Sequence, residues 1–434
     1  MDEPAVEVPR SRAALPSLPD DALADILARL TPRGVAAARA VCRAWRGVVD
    51  GRRLLRADLL PLSVGGIFIG FRYHSFPEFF SRPSSSAGRR VSGQMDDYLP
   101  FPSAAAADYD GEHGFSLSGH CNGLLLLQDA SLYRHDYVVV NPATRAWAPV
   151  PPLPAASRWE AHIIASATTS RRSDRASPHH HHHYEVISVP HISYCWPQLY
   201  PSVVTEADEW PPPTIAAHIF SSSTRRWEER LSLSDNKYQM IAPPVGARAG
   251  EYSGIYLGKS KNGVYLASVN HTFLLRKSIL QIWVLNESGD QMEWSLKHHR
   301  DLQHVRPPDN DNSTETTGPW VLQDVNFNLY RHLFPKNQTI AATEEEYAWD
   351  SDKDNIFDSR GRVEQKGCGY FFILGFHPFK EIIFFSQSFD RGLAYHLDSL
   401  KVQDLGNLHP TEYDYFANMY PDIDVSFPYT PCWI

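Results

Sequence analysis

Hydrophobic residues recur at helical spacing near the amino terminus of the chain. Leu23, Ile26, Leu27 and Leu30 occupy positions i, i+3, i+4 and i+7, so they share one face of a predicted helix. The preceding residues 18–21, Leu-Pro-Asp-Asp, supply start signals, because proline is tolerated in a first turn and acidic side chains favour it. The pattern therefore predicts an amphipathic helix that begins near residue 20.

The helical pattern continues beyond this first helix. Thr31 and Pro32 combine a stop for the first helix with a cap and a first-position proline for a second. Helical spacing then recurs at Val41, Ala44, Trp45 and Val48. These signals predict a small three-helix domain at residues 18–60, preceded by a disordered tail at residues 1–17. A domain this short buries little of its surface, so we expect it to pack against a partner.

Residues 61–434 show a different pattern, in which short runs of β-branched and aromatic residues alternate with Gly, Pro, Asn and Ser. Many short strands separated by turns favour an all-β domain of closed or propeller architecture. The predicted fold class is α+β multidomain, with the small helical domain followed by a large all-β domain. Nine runs predict strands, at residues 65–71, 123–127, 137–140, 184–189, 218–220, 263–266, 281–285, 370–374 and 381–385.

A weak internal repeat favours the propeller among these architectures. Each copy consists of a strand, a polar turn and an aromatic or apolar residue that opens the next strand. In the first two copies that residue is Trp147 or Trp227, which we interpret as packing between blades rather than as a platform for a ligand. The four copies lie at residues 139–147, 219–227, 284–294 and 395–402.

Three segments have the composition of loops inserted into the β domain. Residues 151–183 contain a Pro-Pro pair and five consecutive histidines, and residues 306–318 are rich in Pro, Asp, Asn, Ser and Thr. Residues 336–366 are strongly acidic. Long loops on a rigid scaffold are where recognition residues or disorder concentrate, so these segments are candidates for either.

The helical domain resembles the F-box, the motif that joins substrate receptors to the Skp-type adaptor of cullin-based ubiquitin ligases. Alanine at positions 36–38, where many F-boxes carry leucine or charged residues, is a departure that could weaken affinity for the adaptor without changing the fold. The residues that carry the resemblance are Leu18-Pro19-Asp20-Asp21, Ile26-Leu27, Leu30, Pro32 and Val41-Cys42-Arg43-Ala44-Trp45-Arg46.

This resemblance implies a non-enzymatic substrate receptor of an SCF-type ubiquitin ligase. Its partners would be a Skp-type adaptor, a cullin reached through that adaptor, and a protein substrate that the sequence does not identify. It implies no catalytic residue, no cofactor and no metal. The adaptor-binding residues that it implies are Leu18, Pro19, Ile26, Leu27, Leu30, Pro32, Val41, Cys42 and Trp45.

Parts of the β domain resemble the F-box-associated domain of plant proteins. The resemblance is carried by residues 120–127 (His-Cys-Asn-Gly-Leu-Leu-Leu-Leu), 141–147 (Asn-Pro-Ala-Thr-Arg-Ala-Trp) and 429–433 (Tyr-Thr-Pro-Cys-Trp). Residues 375–378 and 382–385 add to it. It implies a kelch-like β-propeller that recognises the substrate.

Charge is distributed unevenly along the chain. Residues 31–56 contain seven arginines and one aspartate, although the whole chain of 434 residues has a net charge of -9. A basic patch of this kind suits either nucleic acid or an acidic protein partner. Because Skp-type adaptors are acidic, the F-box resemblance favours the protein partner, and we expect no nucleic acid.

Cysteine content and hydropathy indicate the compartment. Five widely spaced cysteines without a Cys-x-x-Cys pair predict buried free thiols in a reducing environment rather than disulfides or a zinc site. Residues 1–17 lack the apolar core of a signal peptide, and no run of 18 apolar residues occurs. We therefore expect an intracellular protein, cytoplasmic or nuclear or both, without a membrane partner.

Four short motifs suggest chemistry but lack its other requirements. The histidines at residues 179–183 offer imidazoles without fixed geometry, and the aspartates within residues 350–354 begin a calcium loop that lacks its glycine and its final glutamate. The glycines of residues 254–260 are one residue too close for a phosphate-binding loop, and residues 114–118 lack the closing glycine of a nucleophile elbow. We predict that none of these motifs is a site.

Two other classes of protein remain open as alternatives. A propeller hydrolase or lyase with accessory helices requires carboxylates, His or Ser that converge on the central channel. A stand-alone propeller scaffold or nucleic-acid binder is the second alternative, and the basic side chains of Arg39, Arg43 and Arg46 permit insertion of the helix into a DNA groove.

Overall fold

The structure, a computed structural model, divides the chain into two compact units, which are taken separately below. The predicted tail at residues 1–17 lies outside the residues that it describes. The described residues are 19–30, 34–35, 38, 41–52, 54, 64–83, 91–99, 114–129, 136–153, 160–168, 183–190, 218–229, 241–244, 246–247, 253–272, 277–288, 291–302, 305, 318–334, 356–358, 370–414 and 422–432.

The N-terminal unit contains helices α1 (Asp20–Ala28) and α2 (Arg43–Gly51). Residues 34, 35 and 38 between them are also helical. Pro19 occupies the N-cap of α1 with extended backbone angles, and two aspartates follow in the first turn, as the start signals predicted. The apolar faces meet in one core formed by Leu23, Ala24, Leu27, Val35, Ala38, Val48 and Val49.

The second unit is β-rich, and its described residues include the short helix α3 (Val325–Leu329) and the 3-10 helices Met95–Asp97 and Arg331–Leu333. Its strands are β1 (Gly66–Phe71), β2 (Glu78–Ser81), β3 (Phe115–Cys121), β4 (Leu124–Asp129), β5 (Tyr137–Asn141), β6 (Ala146–Val150), β7 (Glu160–Thr168), β8 (His183–Pro190), β9 (His218–Ser221), β10 (Arg226–Glu229), β11 (Ser253–Ser260), β12 (Gly263–Thr272), β13 (Lys277–Ser288), β14 (Gln291–Asp301), β15 (Val321–Leu322), β16 (Ile356–Asp358), β17 (Phe371–Phe376), β18 (Ile382–Gln387), β19 (Arg391–His396), β20 (Lys401–Asn407) and β21 (Ile423–Tyr429).

These strands form five antiparallel sheets, which we number 1 to 5. Sheets 2, 3 and 4 are each built from four consecutive strands, β3–β6, β7–β10 and β11–β14. Sheet 5 has the order β17-β18-β19-β20-β16, and its first four strands are also consecutive. Sheet 1 differs, because its order β21-β1-β2-β15 joins strands from the start of the unit to strands from its end. Pairing of β1 with β21 therefore ties the two ends of the unit together.

One edge strand of each sheet lies against an edge strand of a neighbouring sheet. Strand β21 contacts β3, β3 contacts β7, β11 contacts β17, and β17 contacts β21. The sheets therefore follow one another in the order 4, 5, 1, 2, 3. A separate hydrophobic core fills the space between each adjacent pair in this series.

Central strands are apolar at successive positions because the two faces of a sheet enter different cores. In β18, Ile382 and Phe384 enter the core shared with sheet 1, whereas Ile383 and Phe385 enter the core shared with sheet 4. Strand β4 behaves in the same way between sheets 1 and 3. Burial on both faces explains why the sequence of these strands lacks the polar–apolar alternation of a half-exposed strand.

The nine strands predicted from the sequence are confirmed as β1, β4, β5, β8, β9, β12, β13, β17 and β18. The four repeated segments are confirmed as the hairpins β5–β6, β9–β10, β13–β14 and β19–β20. Each of these hairpins joins the third and fourth strands of its sheet. The repeat therefore marks the same structural position in sheets 2, 3, 4 and 5.

The two repeat tryptophans have different environments. Trp227 packs against the core between sheets 2 and 3, and its Nε1–H donates to the carbonyl oxygen of Pro151 at 2.7 Å. The predicted role in packing between sheets is thus confirmed for Trp227. The prediction is wrong for Trp147, whose side chain is exposed on β6.

Two of the three predicted insertions contain strands. Strand β7 and the first residue of β8 lie within residues 151–183, and β16 lies within residues 336–366, so the loop prediction is wrong there. Strand β7 was missed because its apolar run is interrupted by Ala, Ser and Thr, and its pairing with β8 supplies the missing support. Residues 306–317, and most residues of the other two segments that do not belong to these strands, lie outside the described residues.

Three of the five cysteines are described, and all three are free thiols, as predicted. None of them is buried, because Cys42 is exposed and both Cys121 and Cys432 are half-buried, so the prediction of buried thiols is wrong for these positions. The segments at residues 254–260 and 114–118 lie in β11 and β3 rather than in a phosphate loop or a nucleophile elbow. The first four residues of the histidine run and the aspartates of 350–354 lie outside the described residues.

Candidate functional site

The helical unit presents large apolar side chains at its surface. Ile26 is 50% exposed, Leu30 is 43% exposed and Val41 is 64% exposed. Ile26 and Leu30 are four residues apart, at and just beyond the end of α1, which is the spacing of neighbours on one helix face. Exposed apolar side chains on so small a unit are typical of proteins that bind a partner. We call Ile26, Leu30 and Val41 the apolar surface of the unit.

Leu27 and Trp45 belong to the interior that supports this surface. Leu27 is only 1% exposed and lies in the core with Leu23 and Val49. Trp45 is partly buried and packs against the same core. Leu27 therefore supports the shape of the unit, and its contact with the adaptor stays a prediction.

The remaining predicted contact residues divide between the surface and the undescribed part of the chain. Pro19 and Cys42 are exposed. Cys42 is the N-cap of α2, where its Sγ accepts a hydrogen bond from the backbone N–H of Trp45 at 3.5 Å. Leu18 and Pro32 lie outside the described residues.

The helical unit also exposes several charged side chains. Arg29, Arg43 and Arg46 are exposed, which agrees with the basic character expected from the sequence. Arg52, just beyond the end of α2, pairs with Asp21 in the first turn of α1. This ion pair joins the beginning of one helix to the end of the other, and both partners are exposed, so its contribution to stability is small.

In the β unit, the segments that resemble the F-box-associated domain come together around the C-terminal residues. Gly123, in the turn between β3 and β4, has a φ of +80°, and a Cβ there would lie 2.5 Å from the carbonyl oxygen of Thr430. The side-chain nitrogen of Asn141 donates to the carbonyl oxygen of Cys432 at 3.0 Å. These contacts explain why glycine and asparagine stand at those positions. They serve packing, because they join parts of one unit.

The most strongly perturbed carboxylates lie in a buried polar cluster between β2 and the start of α3. Glu78 accepts hydrogen bonds from the backbone N–H groups of Val325 at 2.6 Å and Asn326 at 3.1 Å, and His74 Nδ1 lies 3.4 Å from its Oε1. Burial alone would raise the pKa of Glu78, but the bonds from His74 and Asn326 hold that pKa below its ordinary value. Burial and then the charge of Glu78 raise the pKa of Asp324 to about 6.

This buried polar cluster stabilises the fold. The side chains of His74 and Glu78 are almost completely buried, so no substrate reaches them. Both carboxylate oxygens of Asp324 also have partners, because they accept hydrogen bonds from the backbone N–H and the hydroxyl of Thr411 at 2.9 Å. The cluster therefore fastens the segment before α3 to β2 and to the C-terminal region. It gives no support to a hydrolase.

Comparison with known proteins agrees with the helical site. Residues 15–57 match the F-box-like family, and this range spans the helical unit with its apolar surface. The curated proteins contain no match to the chain. Within the part of the chain that the structure describes, no helix is long and apolar enough to cross a membrane. The chain thus carries an F-box-like domain, and such a domain implies binding to a Skp-type adaptor and through it to a cullin.

Proposed function

We propose that this chain is the substrate-recognition subunit of an SCF-type ubiquitin ligase. The observation that carries the proposal is the exposed apolar surface of Ile26, Leu30 and Val41 within a domain that matches the F-box-like family. Covering such side chains removes them from water, and full burial of one of them contributes about 1.5–3 kcal/mol. A Skp-type adaptor would cover this surface, with Pro19 and Cys42 at its margin and with Leu18 and Pro32 among the contacts.

The exposed arginines would assist this docking. Arg43 and Arg46 are exposed on α2, next to Cys42. An acidic adaptor would approach faster because of this charge, whereas the apolar contacts would hold the complex together. The charge alone also suits nucleic acid, and sensitivity of binding to salt distinguishes the two partners.

The β unit would hold the protein to be modified. Five antiparallel sheets whose edge strands contact one another in series, with the first and last strands sharing sheet 1, support a kelch-like propeller in which each sheet is a blade. A propeller offers loops on both faces of a rigid scaffold, which suits recognition of a protein. The intracellular location that ubiquitin ligation requires agrees with the free thiols.

The mechanism is proximity rather than catalysis by this chain. Holding a target near a ubiquitin-charged enzyme raises the effective concentration of the target lysine and forms no bond in the receptor itself. The helical unit would provide attachment to the ligase and the β unit attachment to the target. In this assignment the chain needs no catalytic residue and no cofactor.

Affinity for a purified Skp-type adaptor tests the proposal. We expect the full-length chain to bind and the double variant Ile26→Asp/Val41→Asp to bind at least about tenfold more weakly, because two carboxylates would then be desolvated at the interface. Leu257→Asp is the matched control, since Leu257 is 62% exposed on β11 of the β unit, and this variant should bind as the unchanged chain does. Circular dichroism verifies that all three proteins are folded.

Two results would overturn the assignment. One is equal affinity of the adaptor for the unchanged chain and for Ile26→Asp/Val41→Asp, which would exclude the apolar surface. The other is retention of duplex DNA at physiological salt without adaptor binding, which would favour the nucleic-acid alternative.

A further inference from the structure

Three side chains that are able to hold a metal ion come together between sheets 4 and 5. His298 belongs to β14, Glu381 directly precedes β18, and Asp398 lies in the turn between β19 and β20. One possible ligand atom from each of them lies within 4.8 Å of the other two. Among the described residues this is the one such group of three or more His, Cys, Asp or Glu side chains.

The imidazole of His298 has an unsatisfied nitrogen. Its Nε2 is buried and has no hydrogen-bond partner among the described residues. A buried polar atom without a partner costs about 1–3 kcal/mol, so a native structure normally supplies one. A metal ion is the kind of partner that a neutral imidazole nitrogen takes when carboxylates lie beside it.

The carboxylate of Glu381 is held in a fixed orientation. Its Oε1 accepts hydrogen bonds from the hydroxyl of Tyr265 and from Nδ2 of Asn262, each at 2.8 Å. Its Oε2 accepts from Nζ of Lys297, also at 2.8 Å. Hydrogen bonds of this kind around a ligating carboxylate are typical of metal sites, where they fix the orientation of the ligand.

Lys297 shows that the cluster already attracts a positive charge. Its Nζ lies 2.6 Å from the hydroxyl oxygen of Tyr265 and 4.9 Å from the centre of that ring. This ammonium pairs with the carboxylate of Glu381, and the charges of Lys297, Arg300, Glu381 and Asp398 all act on His298. The simplest alternative to a metal site is this ion pair alone, and Lys297 would then be its essential cation.

We propose that His298, Glu381 and Asp398 form a zinc site that joins sheet 4 to sheet 5, with Lys297 as a competitor for the same carboxylate. Nitrogen and carboxylate ligands suit Zn²⁺, and bond lengths of about 2.0–2.2 Å require the ligand atoms to draw closer by a small movement. Asp398 is exposed in a turn and is free to make that movement. Three protein ligands leave a fourth position for water. No sequence motif marks this site, because its ligands come from three separate elements.

Zinc binding to the purified full-length chain tests the proposal, with a chromophoric chelator as competitor and calorimetry for the stoichiometry. To exclude metal uptake by the histidine run, His179 to His182 are replaced by serine in every protein tested. We expect one equivalent of zinc to bind and to raise the melting temperature, since a ligand that binds the folded state stabilises it. His298→Ala and Asp398→Asn should each weaken binding at least about tenfold.

Two further variants make the test specific. His299 is exposed and adjacent to His298 on β14, but it pairs with Gln281 and so points to the opposite face, which makes His299→Ala the matched control without effect. Lys297→Met should tighten zinc binding, because it removes the competing cation. The proposal is overturned if the serine-substituted chain binds no zinc, or if His298→Ala and Asp398→Asn bind as His299→Ala does. Weaker binding by Lys297→Met would overturn the role of Lys297 as a competing cation, and the absence of zinc binding by every variant would leave the ion pair alone as the correct description.

Discussion

The helical unit and the β unit differ in how they bury their apolar side chains. In the helical unit, Ile26, Leu30 and Val41 stand at the surface above a core of seven buried residues. In the β unit, whole strands such as β18 are buried on both faces by neighbouring sheets. The first arrangement needs a partner to complete it, whereas the second completes itself within the chain. In the proposed receptor, the helical unit would therefore attach the chain to the ligase, and the β unit would serve as the rigid scaffold.

Truncating a core side chain in each unit should therefore show which unit the adaptor needs. These substitutions have the largest expected effects on stability. Phe68 on β1 is fully buried and stacks on Phe79 at 4.4 Å, so Phe68→Ala should reduce the free energy of unfolding of the β unit by about 3–5 kcal/mol. Leu27→Ala should cost the helical unit about 2–5 kcal/mol and weaken capture of the adaptor. Hydrogen exchange read by mass spectrometry assigns each loss to its own segment.

The contrast between the units is wrong if Phe68→Ala and Leu27→Ala have the same effects on hydrogen exchange and on adaptor capture. Faster exchange throughout residues 19–54 in the Phe68→Ala protein would mean that the units unfold together. Unchanged adaptor capture by Leu27→Ala would mean that the core below the apolar surface does not support docking. Val321→Ala, at an exposed position on β15, is a suitable control with little expected effect on either unit.

The β unit should also depend on pH through Asp324, with an effect of intermediate size. Its pKa is raised by burial and by Glu78 to about 6, from an ordinary value of 3.8. The stability that protonation confers is therefore complete below pH 3.8 and is lost as the pH rises through 6. Asp324→Asn should remove this loss and stabilise the β unit at pH 8 by on the order of 1–3 kcal/mol. Asparagine also tolerates the positive φ of 48° at this position.

Melting temperatures between about pH 3.5 and pH 8 measure this effect. The difference between Asp324→Asn and the unchanged chain should be smallest below pH 3.8, should grow as the pH rises to about 6, and should stay level above that pH. Asp424→Asn, which alters an exposed carboxylate that pairs with Arg72, serves as the control and should leave the pH profile unchanged. A constant difference across the range would contradict the role assigned to the charge of Asp324.

The smallest expected effect concerns the cap of α2 in the helical unit. The Sγ of Cys42 is a weak acceptor for the N–H of Trp45, and serine is a preferred N-cap residue. Cys42→Ser should stabilise α2 by about 0.5 kcal/mol, whereas Cys42→Ala should remove the cap. Hydrogen exchange of residues 43–51 compares the two variants. Slower exchange in Cys42→Ala than in Cys42→Ser would show that the side chain at this position is not a cap.

Prediction from the sequence succeeded where the signal is local. The start of α1 depends on Pro19, Asp20 and Asp21, which are adjacent in the chain, and the four repeated hairpins each lie within a dozen residues. It could not decide burial that depends on distant segments. Helical spacing places Leu27 and Ile26 on the same general face, and only the packing of the helices decides which of them is covered.

Sheet 1 and the proposed zinc site also could not be predicted from local sequence patterns. Sheet 1 has no copy of the repeat, because its third and fourth strands, β2 and β15, are not consecutive in the chain. Likewise, His298, Glu381 and Asp398 have no motif spacing, and they meet because sheets 4 and 5 share a core. Residues brought together by separate strands leave no periodic trace in the sequence.

Local sequence patterns were sufficient to predict the helical unit, the all-β character of the remainder and the position of the repeated hairpins. Each of these follows from side-chain spacing over a few residues, which fixes the local backbone. The tertiary structure decided the order of the sheets, the closure of sheet 1 by β1 and β21, and which apolar residues of the helical unit remain exposed. These features depend on packing between segments that are far apart in the chain, where burial rather than local propensity selects the arrangement.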